Sequence, residues 1–360
     1  MKKVNFSPEY ERVWDEFCLQ QEEAWFWHTS LWLEFCLESR FGVKTENLSY
    51  LLMDDKLQSI LAIVPLILEI KGQSREFTFN GGPMPAPVIK AVGKQQKEIE
   101  KFIFNEYKEK AVEKAVQRIA IRQGNIFQTK RKFTDPQLIK QGYIDISVYT
   151  SVLDLTQSDQ QLLAGMTKGH RSAIKKAIRL ETKVKFYDKY TITDEKWTEF
   201  KNAYFAAAGK QTRPNITFER FFQLIGAGIG YLFESSCQNQ STGFVYVIVC
   251  KSYAYYALSC RTLNDTAEGS QVTQWEIIKL LKENKVGYYE LGEQYFTPTF
   301  FYPVDPKMIA ISQHKRGFGG LLLSQNTGEY FFSQQYLTTV WGERYRQFVS
   351  CFQELGELKE

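Results

Sequence analysis

Three stretches close together in the chain, YLFES, GFVYVIVC and YAYYALSC, constrain its fold more than any other feature. Each has strand length, is rich in β-branched and aromatic side chains, and is divided from the next by a short polar turn. Connections this short allow only antiparallel pairing, because a parallel neighbour needs a crossover of a dozen or more residues. The segment therefore reads as an antiparallel meander. EGSQVTQWEIIKLLKEN follows as a helix with Val272, Trp275, Ile278 and Leu281 on one stripe, and VGYYELGE follows as a further strand. Upstream, TSVLDLTQSD reads as a strand running into a capped helix start. A long basic helix then extends to about residue 180, VKFY is a short strand, and two helices occupy roughly 194–208 and 217–227.

The first 150 residues give a shorter and looser version of the same order. Residues 28–40 form a helix capped by Thr29 or Ser30. LSYLLM and SILAIVPLILEI are strands joined at Asp54-Asp55, and roughly residues 95–117 make a charged amphipathic helix. Between them FTFNGGPMPAPVI carries two glycines and three prolines, a composition that argues against regular structure. At 360 residues the chain exceeds what one core serves, so two α+β domains are expected, with a boundary near residue 150.

Charge excludes some functions. With 45 basic and 41 acidic residues the net charge is only +4, so bulk charge does not predict nucleic-acid binding, and any basic site must be local. Six scattered cysteines without a CxxC pair, together with three histidines, argue against a metal site and fit a reducing compartment. MKKVNFSPEYERVWDEF lacks the apolar core of a signal peptide, and SILAIVPLILEI is too short to span a bilayer. The expectation is a cytoplasmic protein with no transmembrane segment, able to touch a membrane surface.

Five constellations can carry chemistry. In MTKGHRSAIKKAIR, Lys168, Arg171, Lys175 and Arg179 share one helical face. That row is either a solvated surface or a phosphate contact, with Arg171 and Lys175 as the ligands. Arg213, followed by Pro214 in an interhelical loop, is a second candidate anion ligand or an exposed turn arginine. In YAYYALSC, alternation sets Tyr253 and Tyr255 on one face and Tyr256 on the other; Tyr256 is the candidate substrate contact and strand packing the plain alternative. Glu290 and Glu293 lie at a strand end beside Gly292, where either carboxylate can take a proton from an attacking amine or simply face solvent. In QHKRGFGG, read as a strand-edge turn, Lys315 is the candidate for stabilising charge on a carbonyl or phosphate oxygen. Its neighbours His314, Arg316 and Phe318 are candidate substrate contacts. The chain has no GxSxG, GxxxxGK[ST], HExxH or strand-following GxGxxG. What remains is group transfer by proximity and electrostatics.

The stretch VLDLTQSDQQLLAGMTKGHRSAIKKAIR, with GFVYVIVCKSYAYYALSCRT, QVTQWEIIKLLKENKVGYYELGE and HKRGFGG, resembles the FemAB-like peptidyltransferases. It is equally similar to the CelD-type acetyltransferases, and both belong to the GNAT superfamily. The resemblance covers residues 150–320 well and the first 150 weakly. It implies an α+β fold of tandem GNAT-like domains, each a mixed, largely antiparallel sheet flanked by helices, over 1–150 and 151–329. It also implies a cleft between them and a C-terminal helix, about 330–360, returning to the first. FemAB-like members move an amino acid from aminoacyl-tRNA to an amine of a cell-wall precursor, and CelD-like members use acyl-CoA. The lysine of the FemAB pattern falls on Lys315, and His314 stands where the family has an aromatic. Where GNAT acetyltransferases carry a glycine-rich pyrophosphate loop, this chain reads NDTAEGSQVTQW, with Gly269 as its one glycine and Asp265 and Glu268 as acids.

Two functions follow as expectations. One is an acyl- or aminoacyltransferase that forms an amide on an amine of a nucleotide- or lipid-linked envelope precursor (peptidoglycan or polysaccharide), with no bound cofactor and with aminoacyl-tRNA or acyl-CoA as donor. The other is a non-catalytic GNAT-like module for an anionic glycan, peptide or protein, in which Lys315 is paired or exposed.

Overall fold

A computed structural model describes residues 1–123, 137–262 and 269–354. The chain divides into two units. The first comprises Met1–Val148, Pro298–Asp305 and the segment from Ser324 onward; the second comprises Tyr149–Thr297 and Pro306–Leu323.

The first unit carries two sheets. Lys2–Asn5, Tyr50–Met53, Ile60–Val64 and Val88–Ile89 form one, antiparallel throughout. The other runs in the order Ile144–Asp145, Thr327–Phe331, Arg118–Arg122, Ser74–Phe77, Ile67–Lys71, Lys44–Asn47, with Met84–Pro85 also on Arg118–Arg122. SILAIVPLILEI is thus two strands, not one. Pro65 lacks an N–H and breaks the ladder, so Ile60–Val64 and Ile67–Lys71 enter different sheets. The glycine- and proline-rich stretch after them forms two strands of two residues each, against the expectation of none. Helices span Ser30–Glu38, with Thr29 capping the Trp32 N–H, and Gly93–Glu113.

In the second unit, β1 (Val148–Asp154) leads to α1 (Asp159–Gly165), which starts with Ser158 and Gln161 in a reciprocal capping box. Then come α2 (Lys168–Arg179), β2 (Lys183–Tyr187), α3 (Asp194–Ala208) and α4 (Asn215–Gly226). The meander is β3 (Gly230–Cys237), β4 (Gln240–Cys250) and β5 (Tyr253–Arg261). It continues into α5 (Gly269–Glu283), β6 (Tyr288–Gln294), α6 (Pro306–Arg316) and β7 (Leu321–Gln325). These strands form one sheet in the order β2-β3-β4-β5-β6-β1-β7. β2, β3, β4 and β5 are antiparallel neighbours, as are β6 and β1, while β5 and β6 are parallel. α5 is the crossover that a parallel pair requires, and Val272, Trp275, Ile278 and Leu281 bury its apolar stripe in the core with Leu153, Ile174, Phe233 and Tyr289.

HKRGFGG departs from its expectation of a strand-edge turn. His314, Lys315 and Arg316 form the last turn of a helix, and the glycines follow its end. Proline at the start and glycine after the end mark a helix. Its interior shows no apolar stripe, since Met308 and Ile311 are exposed and Ser312 is its buried residue, so periodicity had nothing to report.

Candidate active site

The parallel strands β5 and β6 pair at three positions, Tyr253 with Tyr288, Ala254 with Tyr289 and Tyr255 with Glu290. Beyond these, β5 continues to Arg261 and β6 to Gln294 without pairing each other, so a notch opens between the two strands. On the far side of β6 the register with β1 shifts. Ser151 faces Gly292 and Val152 faces Glu290, which leaves Leu291 as the extra residue of a bulge. Gly292 takes φ +89°, a left-handed conformation that suits glycine. In a regular strand, residues three apart point to opposite faces. Across the bulge, the charges of Glu293 and then Glu290 both favour the charged form of Lys315. Glu290 is buried and accepts a hydrogen bond from Thr150 Oγ1 at 2.6 Å; Glu293 is half-buried and accepts one from Tyr295 Oη at 2.5 Å.

Lys315 enters the notch from the last turn of α6. Its Nζ lies 5.1 Å from the centre of the Tyr256 ring. A methyl group at Gly292 would sit 3.3 Å from Lys315 Nζ and 3.8 Å from Tyr255 Oη, so amine and phenol converge on one small space. Burial pushes the Lys315 pKa below its ordinary value, against the opposing pull of Glu293 and then Glu290. Burial raises the Tyr256 phenol, while hydrogen bonds from Ser259 and Gln274 act the other way. Gln274, buried on α5, accepts from Tyr289 Oη at 2.9 Å.

The wall behind Lys315 is built by the start of α2. Thr167 N–H donates to Gly317 C=O at 2.9 Å, and His170 Nε2 lies 3.0 Å from His314 C=O. The His170 ring meets Phe318 edge-on at 4.5 Å and His314 at 5.0 Å. It fills the space beside Gly317 so fully that a Cβ there would be 2.1 Å from His170 Cε1. Burial first, then His170, Arg261 and Lys315, hold the His314 pKa down to about 4.

The candidates named from sequence thus sort by position. Lys315, Glu290, Glu293 and Tyr256 come together. His314 is one side chain behind them. Phe318 is 2% exposed and packs in the core, where its ring supports the wall. The Arg316 guanidinium donates to Gln294 Oε1 at 3.3 Å and Tyr295 C=O at 3.1 Å and lies 4.1 Å over Phe296, so it ties α6 to the end of β6. Arg171 donates from Nη1 to the carbonyls of Ala164 and Met166, closing the end of α1. Lys175 is exposed one turn further along α2, and Arg213 sits in the loop between α3 and α4. Asp265 and Glu268 lie outside the described residues. Among the described residues no cluster of three potential metal ligands occurs. Sequence reasoning missed Tyr255, Thr150 and Gln274. Alternation puts Tyr255 and Tyr256 on opposite faces of β5, where they pair in regular register with Ile248 and Val247, yet the Tyr255 hydroxyl nears Gly292 and the centre of the Tyr256 ring lies 5.1 Å from Lys315 Nζ.

No family model matches the sequence, and no curated protein matches it. Solved structures do. FemX superposes with a TM-score of 0.68 at 13% identity, over 95% of this chain and 100% of that one. The structure of L-PGS from Bacillus licheniformis gives 0.59 at 10%, over 94% and 96%. A tandem GNAT protein from the clavulanic acid biosynthesis pathway gives 0.52 at 10%, over 92% and 98%. At such identities the likeness is one of fold. The chain has the α+β, tandem GNAT-like fold that its resemblance to FemAB-like proteins implied.

Proposed function

We propose that the chain is an acyl- or aminoacyltransferase that forms an amide on an amine of a cell-envelope precursor, nucleotide- or lipid-linked. The observation that carries this reading is the convergence on Gly292 of the Lys315 amine and the Tyr255 hydroxyl, at an amine desolvated by burial and drawn back toward its charged form by Glu293 and Glu290. In the reaction the acceptor amine attacks the donor carbonyl. A C–N bond forms, the ester or thioester bond breaks, the amine loses a proton and the leaving oxygen or sulfur gains one. Glu293, the more exposed of the two acids, takes the proton. Buried Glu290, tied to Thr150, holds the site's charge. Lys315 and Tyr255 face the carbonyl oxygen, where developing negative charge is stabilised most strongly in a desolvated setting. The fold shared with FemX and L-PGS supports transfer of this class, and the FemAB-like resemblance of the sequence implies aminoacyl-tRNA as donor. Acyl-CoA is the other donor that the resemblance implies. The non-catalytic reading needs Lys315 paired or exposed, and the desolvation of its amine speaks against exposure.

The test is transfer from radiolabelled aminoacyl-tRNA or acyl-CoA to a nucleotide-linked peptide precursor bearing a free amine. Amide formation is expected with one donor. Lys315→Met should lower kcat by about a hundredfold or more, the usual loss for one oxyanion donor. Absence of product with every donor from folded protein, or full activity in Lys315→Met, would reject the assignment.

A further inference from the structure

The transfer reaction leaves one charged border of the second unit unused. Between Lys168 and Tyr190 lie eight lysines and arginines and two acids, Glu181 and Asp188, a net of +6. The whole chain carries +4, so this short segment holds more positive charge than the entire protein. The segment is α2 followed directly by β2. A tight turn joins them, with Thr182 N–H donating to Ala177 C=O at 3.0 Å, and β2 is the outermost strand of the sheet on that side. Helix end and edge strand therefore lie along the same border.

Cations at a helix C-terminus complement its dipole and need no ligand. The apolar side chains among them are not explained that way. Ile178 is 56% exposed and Tyr190 82%, and Leu180 and Phe186 are also in the open. Large apolar side chains set among lysines match what a bilayer interface asks of a protein surface. Phosphates attract the cations, and aliphatic and aromatic groups enter the headgroup boundary. A nucleic acid would use the charge and the aromatic rings, but not Ile178 and Leu180.

We propose that α2 and β2 form a docking surface for an anionic phospholipid bilayer. This goes beyond the proposed transfer, because lipid binding by this border does not require catalysis. The contact is peripheral: among the described residues no helix is long and apolar enough to cross a membrane.

The experiment is co-sedimentation of the full chain with phosphatidylcholine vesicles, with and without phosphatidylglycerol, at low and raised salt. Binding should need phosphatidylglycerol and fall with salt. Arg179→Gln/Lys183→Gln/Lys189→Gln removes three exposed cations and should weaken it on the order of a hundredfold, at roughly fivefold per cation. Ile178→Ser/Phe186→Ser should weaken it while keeping its salt dependence. Lys315→Met should bind vesicles as the unmodified chain does, which separates this surface from the transfer site. Equal binding to both vesicle types, or no binding, overturns the proposal. Binding to bulk tRNA that is lost in the triple variant, without vesicle binding, replaces it with a nucleic-acid surface.

Discussion

His314 shows how one side chain couples the candidate site to pH. Burial, the neighbouring His170 ring, Arg261 and Lys315 all disfavour its charged form and bring its pKa from 6.5 to about 4. Burial lowers His170 as well. Between those two values the unfolded chain holds a proton at His314 that the folded chain does not. Stability is therefore full above about pH 6.5 and declines as pH falls toward about 4. His314→Phe keeps a ring against Phe318 and removes the titration. Calorimetry should find a smaller drop in Tm between neutral and mildly acidic buffer than in the unmodified chain. An equal drop would mean that His314 charges freely in the folded state. Gly317 belongs to the same packing, since its missing Cβ is the room that the His170 ring occupies.

At the scale of elements, the C-terminal helix (Gln334–Glu354) is pinned to the first unit's sheet by a buried acid. Glu329, 0% exposed on strand Thr327–Phe331, accepts from Arg118 Nη1 at 3.1 Å, from Arg344 Nη2 at 2.8 Å and from Arg344 Nη1. Arg118 also forks onto Glu76, with Nε and Nη2 at 2.8 and 3.1 Å from its two oxygens, and Tyr336 Oη donates to the same Glu76. Removing one member of a buried ionic set leaves its partners desolvated and uncompensated. Glu329→Ala should cost about 3–5 kcal/mol by denaturant unfolding. It should also speed amide exchange along Gln334–Glu354. Unchanged stability and exchange would show that packing alone, with Trp341 against Phe300, holds the helix.

At the scale of the molecule, the first unit is not contiguous in sequence. Thr327–Phe331 sits between Ile144–Asp145 and Arg118–Arg122, so an inner strand of its sheet comes from the far end of the chain. A chain ended after Asn326 keeps β7 but opens that sheet. Limited proteolysis should then cut within residues 1–148 while 149–297 stays protected. Equal protection of both would mean that the early strands close the sheet without the late one.

Local pattern determined much of this protein from its sequence. Alternation and short polar turns specify the meander, the 3.6-residue stripe specifies α5, and Ser158 with Gln161 marks the start of α1, because each rests on neighbours in the chain. The same locality explains why Glu290, Glu293, Tyr256 and Lys315 were legible as candidates beside glycines and strand ends. What the chain alone did not decide is which of them meet. The separation of two parallel strands after Tyr255 and Glu290, the bulge at Leu291 between the two acids, and the helix that delivers Lys315 arise from pairing between distant segments. Tertiary packing also took Phe318 into the core and tied Arg316 to Gln294 and Tyr295. A side chain's burial and its partners are properties of long-range contacts, and no window of sequence contains them.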